Sequence, residues 1–291
     1  MTHDDDAPDR YAVMGNPVSH SRSPAIHRMF AAQLGDRIEY TAIQVEPGGF
    51  AQAVEQFRVS GGRGLNVTVP FKLEAYQLAD SHTPLAQQAQ AANVLRFAPD
   101  GALEAHNTDG PGLVRDLMRL LGIGGSGHPG SSAQDVFRGR RMLVLGAGGA
   151  VRGVLAPLLA GVPASVVVAN RTVERARDLE RLFGAGRIRA CGYSDLAGHS
   201  FDIIINGTSA SLGGEVPPLP AGLFNAGALA YDMMYGDRSL PFLDWAQRSG
   251  AASVSDGLGM LVEQAAESYH FWRGRFPDTV PVLAALRLGT R

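Results

Sequence analysis

The sequence predicts an α/β protein with two sheets, an N-terminal mixed sheet and a C-terminal doubly wound parallel sheet. Three observations carry this. Strand-like runs alternate with helix-like runs almost throughout the 291 residues. In the second half the strand runs are apolar without alternation, as in strands covered on both faces. Between the halves, GIGGSGHPGSSAQD (122–135) is rich in Gly and Ser and offers little to bury. It is read as a linker or surface loop.

Each element has its own grounds. RYAVMG (10–15) is a first buried strand. SPAIHRMFAAQLG (23–35) is a helix with Ser23 as its N-cap, Pro24 at N1 and Gly35 at C′. Ile26, Met29, Phe30 and Leu34 form its apolar stripe. YTAIQV (40–45) is a second strand, and a helix follows around Phe50, Val54 and Phe57. GLNVTV (64–69) is a third strand, stopped by Pro70, with Lys72 opening a helix. Residues 93–97 and 102–106 form a hairpin around Ala98-Pro99-Asp100-Gly101, and a helix begins at Gly110. Beyond the linker, residues 141–161 read as strand, glycine turn and helix. Strands are expected at 164–172, 201–209 and 228–236, and helices at 173–184 and 257–274.

Composition excludes several classes. Net charge is −2 and no Lys/Arg run occurs, which argues against a nucleic-acid or polybasic membrane footprint. Cys191 is the single cysteine, so no internal disulfide forms, and a reducing, cytoplasmic setting fits. The acidic start MTHDDDAPDR is unlike a signal peptide, and no apolar run approaches the ~20 residues of a membrane span. No metal site is expected.

Four polar clusters point to chemistry. The turn Gly146-Ala147-Gly148-Gly149-Ala150 sits between an apolar strand and an apolar helix, the setting in which a pyrophosphate rests on a helix N-terminus. Val151 holds the place of the third glycine of the usual dinucleotide pattern. The next strand ends in Asn170-Arg171-Thr172, with Arg175 one turn on. The acid expected for NAD is missing there, and two guanidinium groups suit the extra phosphate of NADP. Lys72 begins a helix, where the dipole disfavours a cation. It reads either as a lysine snorkelling to solvent or as a proton shuttle for interconverting an alcohol and a ketone. Asp109, in HNTDG (106–110), reads either as a helix N-cap or as the carboxylate partner of Lys72. Ser21 and Ser23, in SHSRSP (19–24), offer hydroxyls at a helix start, suited to a carboxylate.

GNPVSHSRSP (15–24), NVTVPFK (66–72), NTDG (107–110), GAGGA (146–150), NRT (170–172), YDMMY (231–235) and DGLGMLVEQAA (256–266) together resemble the shikimate dehydrogenase family, in the same order, over residues ~11 to 285. The resemblance implies reversible reduction of 3-dehydroshikimate to shikimate by NADPH in aromatic amino-acid biosynthesis. It implies two α/β domains flanking a cleft: 1–109 for substrate and catalysis, 110–257 as a Rossmann-like NADP domain, and 258–291 as helices returning to the first. By position, Ser21 and Ser23 would bind the substrate carboxylate. Thr68, Asn93, Asp109 and Gln264 would hold its hydroxyls, with Tyr235 nearby. Lys72 would be the acid/base with Asp109 its partner. Residues 146–150, Asn170, Arg171, Thr172 and Arg175 would bind NADP, with Met233 and Gly257 by the nicotinamide. Where the family often shows G-A-V-N-T, this chain has Gln90-Ala91-Ala92-Asn93-Val94, and its 122–135 segment is longer than usual. The partner expected is a small molecule, with the chain a monomer or homodimer. Two rivals stand beside this reading: a quinate/shikimate or aminoshikimate dehydrogenase of the same fold, and a non-catalytic dinucleotide sensor.

Overall fold

The computed structural model describes residues 7–123, 136–208, 210 and 215–289. The predicted linker falls outside the described residues from position 124, as does Ser209 at the end of a predicted strand. The chain forms two compact units, Met1–Gly112 with Leu261–Arg291, and Leu113–Met260.

The first unit contains β1 (Asp9–Gly15), α1 (Ser23–Leu34), β2 (Ile38–Gln44), α2 (Phe50–Val59), β3 (Gly62–Val67), α3 (Lys72–Leu78), β4 (Ser81–His82), α4 (Pro84–Ala89), β5 (Val94–Phe97) and β6 (Leu103–His106). Its sheet runs β2-β1-β3-β5-β6-β4. The β1, β2 and β3 strands are parallel, and β5 is antiparallel to both β3 and β6. The mixed sheet is as the sequence indicates.

Pleating decides what each strand presents. Along β1, Ala12 and Met14 enter a core with Phe50, Val54, Phe57 and Phe71, while Tyr11 and Val13 face a second cluster with Tyr40. In β3, Leu65 and Val67 enter the first core. Asn66 between them is sent to the opposite face, where it meets Tyr40. That alternation carries a polar side chain into a buried place. The β3 strand ends at Val67, two residues short of the expected Val69, although the Thr68 amide still donates to the Met14 carbonyl at 2.9 Å.

The expected cap of α1 is corrected. Arg22 occupies the N-cap, and Ser23 is the first helical residue. Ser21 supplies a side-chain acceptor for the Ser23 amide at 3.3 Å, so the serine two residues earlier does the local work. Gly35 does end the helix, at φ 69°.

The chain crosses between units within α5 (Asp109–Leu120) and again within α9 (Leu258–Arg273), and α10 (Thr279–Leu288) closes the first unit. The second unit holds β7 (Arg141–Leu145), α6 (Gly149–Ala160), β8 (Ser165–Ala169), α7 (Val173–Phe183), β9 (Arg189–Cys191), β10 (Phe201–Asn206), β11 (Phe224–Asp232), α8 (Leu240–Arg248) and β12 (Ser253–Ser255). All its strand pairs are parallel, in the order β12-β11-β10-β7-β8-β9. This is the doubly wound order of a Rossmann-like sheet, which reverses direction at β7. Met142, Val144, Ile203 and Ile205 pack with α5, α6 and α7, while Leu143, Leu145, Ile204 and Ala230 pack with α8. Both faces are covered, which is why these strands read as unbroken apolar runs. Among the described residues, no helix is long and apolar enough to cross a membrane.

Candidate active site

In the first unit the polar candidates gather at the end of β3. The chain leaves the sheet after Val69, whose carbonyl accepts from the Asn16 amide at 2.9 Å. Phe71 is fully buried and stacks on Phe50 with centroids 5.0 Å apart, which anchors the start of α3. Lys72 follows, its backbone carbonyl accepting from the Ala92 amide at 2.8 Å. Its Nζ donates to Asp109 Oδ2 at 2.6 Å, and the side chains are only 13% and 6% exposed. Lys72 is not a solvated surface lysine.

Asp109 opens α5, and the helix dipole favours its charge there. Its own amide donates to Asn107 Oδ1 at 3.1 Å, while Asn107 Nδ2 donates to the Ala91 carbonyl at 2.9 Å. Asn107 therefore supplies the local side-chain acceptor, and the Asp109 carboxylate turns to Lys72 and to Asn93. Asn93 Nδ2 donates to Asp109 Oδ1 at 2.9 Å. Each carboxylate oxygen has a partner, as a buried ion pair requires. Asn93 also receives the Thr108 amide on Oδ1 at 2.8 Å, and its Nδ2 lies 3.3 Å from Gln264 Oε1. Lys72, Asp109, Asn93 and Gln264 are thus one cluster. The Val at position 94 leaves Asn93 in place, because Thr108 and Asp109 hold its amide.

Ser23 is buried and hydrogen-bonds Tyr40, whose phenol burial pushes well above its ordinary pKa. The Tyr40 hydroxyl donates in turn to Asn66 Oδ1 at 2.7 Å. Ser21 and Thr68 belong to the same unit, and Thr68 lies so near Gly15 that a Cβ there would come within 2.3 Å of its methyl group. Tyr235 lies in the second unit, directly after β11 and Met234.

The second unit assembles the dinucleotide candidates. Gly146 has φ +102°, and a Cβ on it would meet the Gly207 carbonyl oxygen at 2.9 Å, so only glycine serves. A Cβ at Gly148 would meet nothing within 4 Å, which leaves room for a bulky anion against the backbone where α6 begins. Val151 in place of a third glycine is explained by Gly207. A Cβ at Gly207 would strike Val151 Cγ2 at 2.6 Å, so the small residue for close helix–strand packing stands on the strand side. At the β8–α7 junction Asn170 Nδ2 donates to the Thr172 carbonyl at 2.8 Å, and Arg171 and Arg175 are exposed beside the helix start. Met233 donates its amide to the Asn206 carbonyl at 2.9 Å. A Cβ at Gly257 would approach the Met233 carbonyl oxygen to 2.4 Å, so these two are neighbours. An open glycine turn, a helix N-terminus and two guanidinium groups form a donor set that fits a phosphorylated dinucleotide.

Several residues of both sites escape sequence reading. Asn206 Nδ2 donates to Asp232 Oδ2 at 2.9 Å, and Asp232 Oδ1 accepts from the Met234 amide at 2.8 Å, fixing the backbone on either side of Met233. Asn66, Asn107, Thr108 and Ser268 do similar work around Asp109. The available signal was a polar residue inside or ending an apolar strand run, as in LNV, AHNT and IIINGT.

Three family profiles match the chain: the shikimate dehydrogenase substrate binding domain over residues 13–95, shikimate / quinate 5-dehydrogenase over 131–213, and the shikimate 5'-dehydrogenase C-terminal domain over 257–287. A shikimate dehydrogenase (NADP(+)) of Cellvibrio japonicus is 53% identical over 280 residues, spanning 96% of this chain and 97% of that protein. Among solved structures, an Ael1 enzyme from Pseudomonas putida is similar at 46% identity with a TM-score of 0.83, covering 96% of this chain and 98% of that one. A shikimate 5-dehydrogenase from Thermus thermophilus, in complex with NADP(H) and shikimate, matches at 32% identity and a TM-score of 0.80, covering 96% and 98%.

Proposed function

The chain belongs to the shikimate dehydrogenase family, and from that premise we propose that it catalyses the reversible NADP-dependent reduction of 3-dehydroshikimate to shikimate. The observation that carries the reading is the buried pair of Lys72 and Asp109, 2.6 Å apart and backed by Asn93. A dinucleotide sensor has no need of a desolvated amine beside a carboxylate.

NADP, when bound, supplies the hydride acceptor and donor. In the oxidation direction Lys72 Nζ takes the proton from the substrate hydroxyl oxygen, and in reduction it returns that proton. Asp109 stabilises the resulting ammonium and orients it. Ser21 and Ser23 donate to the substrate carboxylate, while Thr68, Asn93 and Gln264, with Tyr235, hold the hydroxyls. Gly146, Ala147, Gly148, Gly149 and Ala150, with Asn170, Arg171, Thr172 and Arg175, would hold NADP, the glycine turn suiting its pyrophosphate and the two arginines its 2′-phosphate. Met233 and Gly257 would lie by the nicotinamide. Residues 1–109 with 258–291 serve the substrate and 110–257 the cofactor, in a cytoplasmic monomer or homodimer.

The test is a matrix of initial rates with shikimate and quinate, each with NADP and NAD. Shikimate with NADP should give the highest kcat/KM. Quinate turnover at an equal or higher kcat/KM would move the assignment to a quinate enzyme, and no turnover in any cell would favour a sensor.

A further inference from the structure

We propose that Ser268 is a positioning residue that keeps the side-chain oxygen of Gln264 open to a substrate hydroxyl. The inference rests on the reading that Gln264 binds substrate. Ser268 lies one helical turn beyond Gln264 on α9 and is fully buried. Its hydroxyl donates to the Gln264 carbonyl at 2.9 Å, so its proton is committed. Its lone pairs face two donors, Asn66 Nδ2 at 2.9 Å and the Thr108 hydroxyl at 3.3 Å.

The consequence follows from counting hydrogens. The Asn93 amide has two, and their nearest acceptors are Thr108 Oγ1 and Asp109 Oδ1, both at 2.9 Å. Gln264 Oε1, at 3.3 Å, is left as the weaker third contact. The Thr108 hydroxyl has one proton and three acceptors in reach: Ser268 Oγ at 3.3 Å, Asn93 Oδ1 at 3.3 Å and Gln264 Oε1 at 3.4 Å. Asn93 Oδ1 already receives the Thr108 amide at 2.8 Å. Ser268 therefore offers Thr108 an outlet that does not load Gln264. Gln264 Nε2 is fixed on the Leu261 carbonyl at 2.7 Å, so the oxygen stays turned to the cluster. Without the serine hydroxyl, the Thr108 proton turns to Gln264 Oε1 and competes with substrate.

The experiment compares wild type, Ser268→Ala, Gln264→Ala and the double variant. Shikimate and NADP are varied separately in steady-state oxidation, and Tm is recorded for each protein. Ser268→Ala should raise the shikimate KM about fivefold, the worth of roughly one neutral hydrogen bond. Its kcat and NADP KM should stay within about twofold of wild type, the spread of a change confined to one substrate contact. In the Gln264→Ala background the serine change should add nothing. A folded Ser268→Ala with wild-type shikimate KM, beside a raised KM in Gln264→Ala, overturns the role of Ser268 and leaves that of Gln264 standing. An unchanged KM in Gln264→Ala overturns both. A similar Ser268→Ala effect in both backgrounds would mark a merely structural residue. Should Ser268→Ala not fold, Ser268→Cys retains a donor for the Gln264 carbonyl but accepts weakly. It should raise the shikimate KM by a smaller factor, and no rise would equally refute the proposal.

Discussion

Gln90 caps α4 with φ 47° and ψ 37°, a left-handed conformation that costs an L-residue roughly 1–2 kcal/mol. The three residues after it reach the heart of the site. The Ala91 carbonyl holds Asn107, the Ala92 amide holds Lys72, and Asn93 holds Asp109. This is the position where the family resemblance has glycine. Gln90→Gly should remove the strain, less the extra freedom glycine gives the unfolded chain, for a net gain of roughly 0.5–1 kcal/mol. Thermal unfolding would show it as a Tm rise of about 1–3 °C, and a fall would contradict the strain argument. At this scale the sequence was informative where residue type and chemistry agree, as at Lys72 and Asp109. It was silent on Asn107 and Ser268, because a polar residue pointing inward looks the same as one pointing outward until the helix phase and partners are known.

Among elements, α1 shows how a helix can carry a titrating group into a core. His27 is fully buried on it, stacked on Tyr40 with ring centroids 4.3 Å apart and edge-on to Phe30. Burial lowers its pKa to about 3, with Asn66 opposing the shift. The folded pKa lies below the ordinary histidine value, so the unfolded chain binds the extra proton first. Stability is therefore complete above about pH 6.5 and is lost as pH falls towards 3, by a little over 1 kcal/mol per pH unit. His27→Phe keeps an aromatic ring in the stack and removes the titration. Urea unfolding at pH 7.5 and 4.5 should show the variant gaining roughly 2–3 kcal/mol on wild type at the lower pH. A constant difference between the two pH values would count against a neutral, buried His27. Elements with long periodic patterns, α1, α6 and α9 among them, were legible in the sequence. The two- and three-residue strands β4, β9 and β12 were not, because pairing with a neighbour, not their own pattern, makes them strands. The helices α4 and α8 were also passed over, and α10 was anticipated only among the helices over 258–291 that the resemblance implied. The first has only six residues, and the last is capped by Asp278, whose side chain accepts from the Val280 amide.

For the whole molecule, the sequence conveyed the two-sheet architecture better than the details. The unbroken apolar strands of the second unit reflect a sheet covered on both faces, and in the first unit β1 also buries both faces, in two separate clusters. The glycine turn and the Asn170-Arg171-Thr172 junction fall at the ends of β7 and β8, where a doubly wound sheet places its ligand. What the sequence could not supply was the second layer: Asn206 and Asp232 behind Met233, and Thr108 and Asn66 behind Asn93. Those contacts join residues 15 to 27 positions apart, and only the fold brings them together.

The central claim is that Lys72 moves the proton and Asp109 directs it. Steady-state shikimate oxidation by wild type, Lys72→Met, Asp109→Asn and the double variant tests this most directly. Lys72→Met preserves the stem and removes the proton carrier, so kcat should fall by about 10²–10⁴ while NADP affinity holds. Asp109→Asn should also slow turnover, and the double variant should lose far less than the product of the single losses, since the two act as a unit. A Lys72→Met enzyme that keeps near-normal kcat would contradict the account.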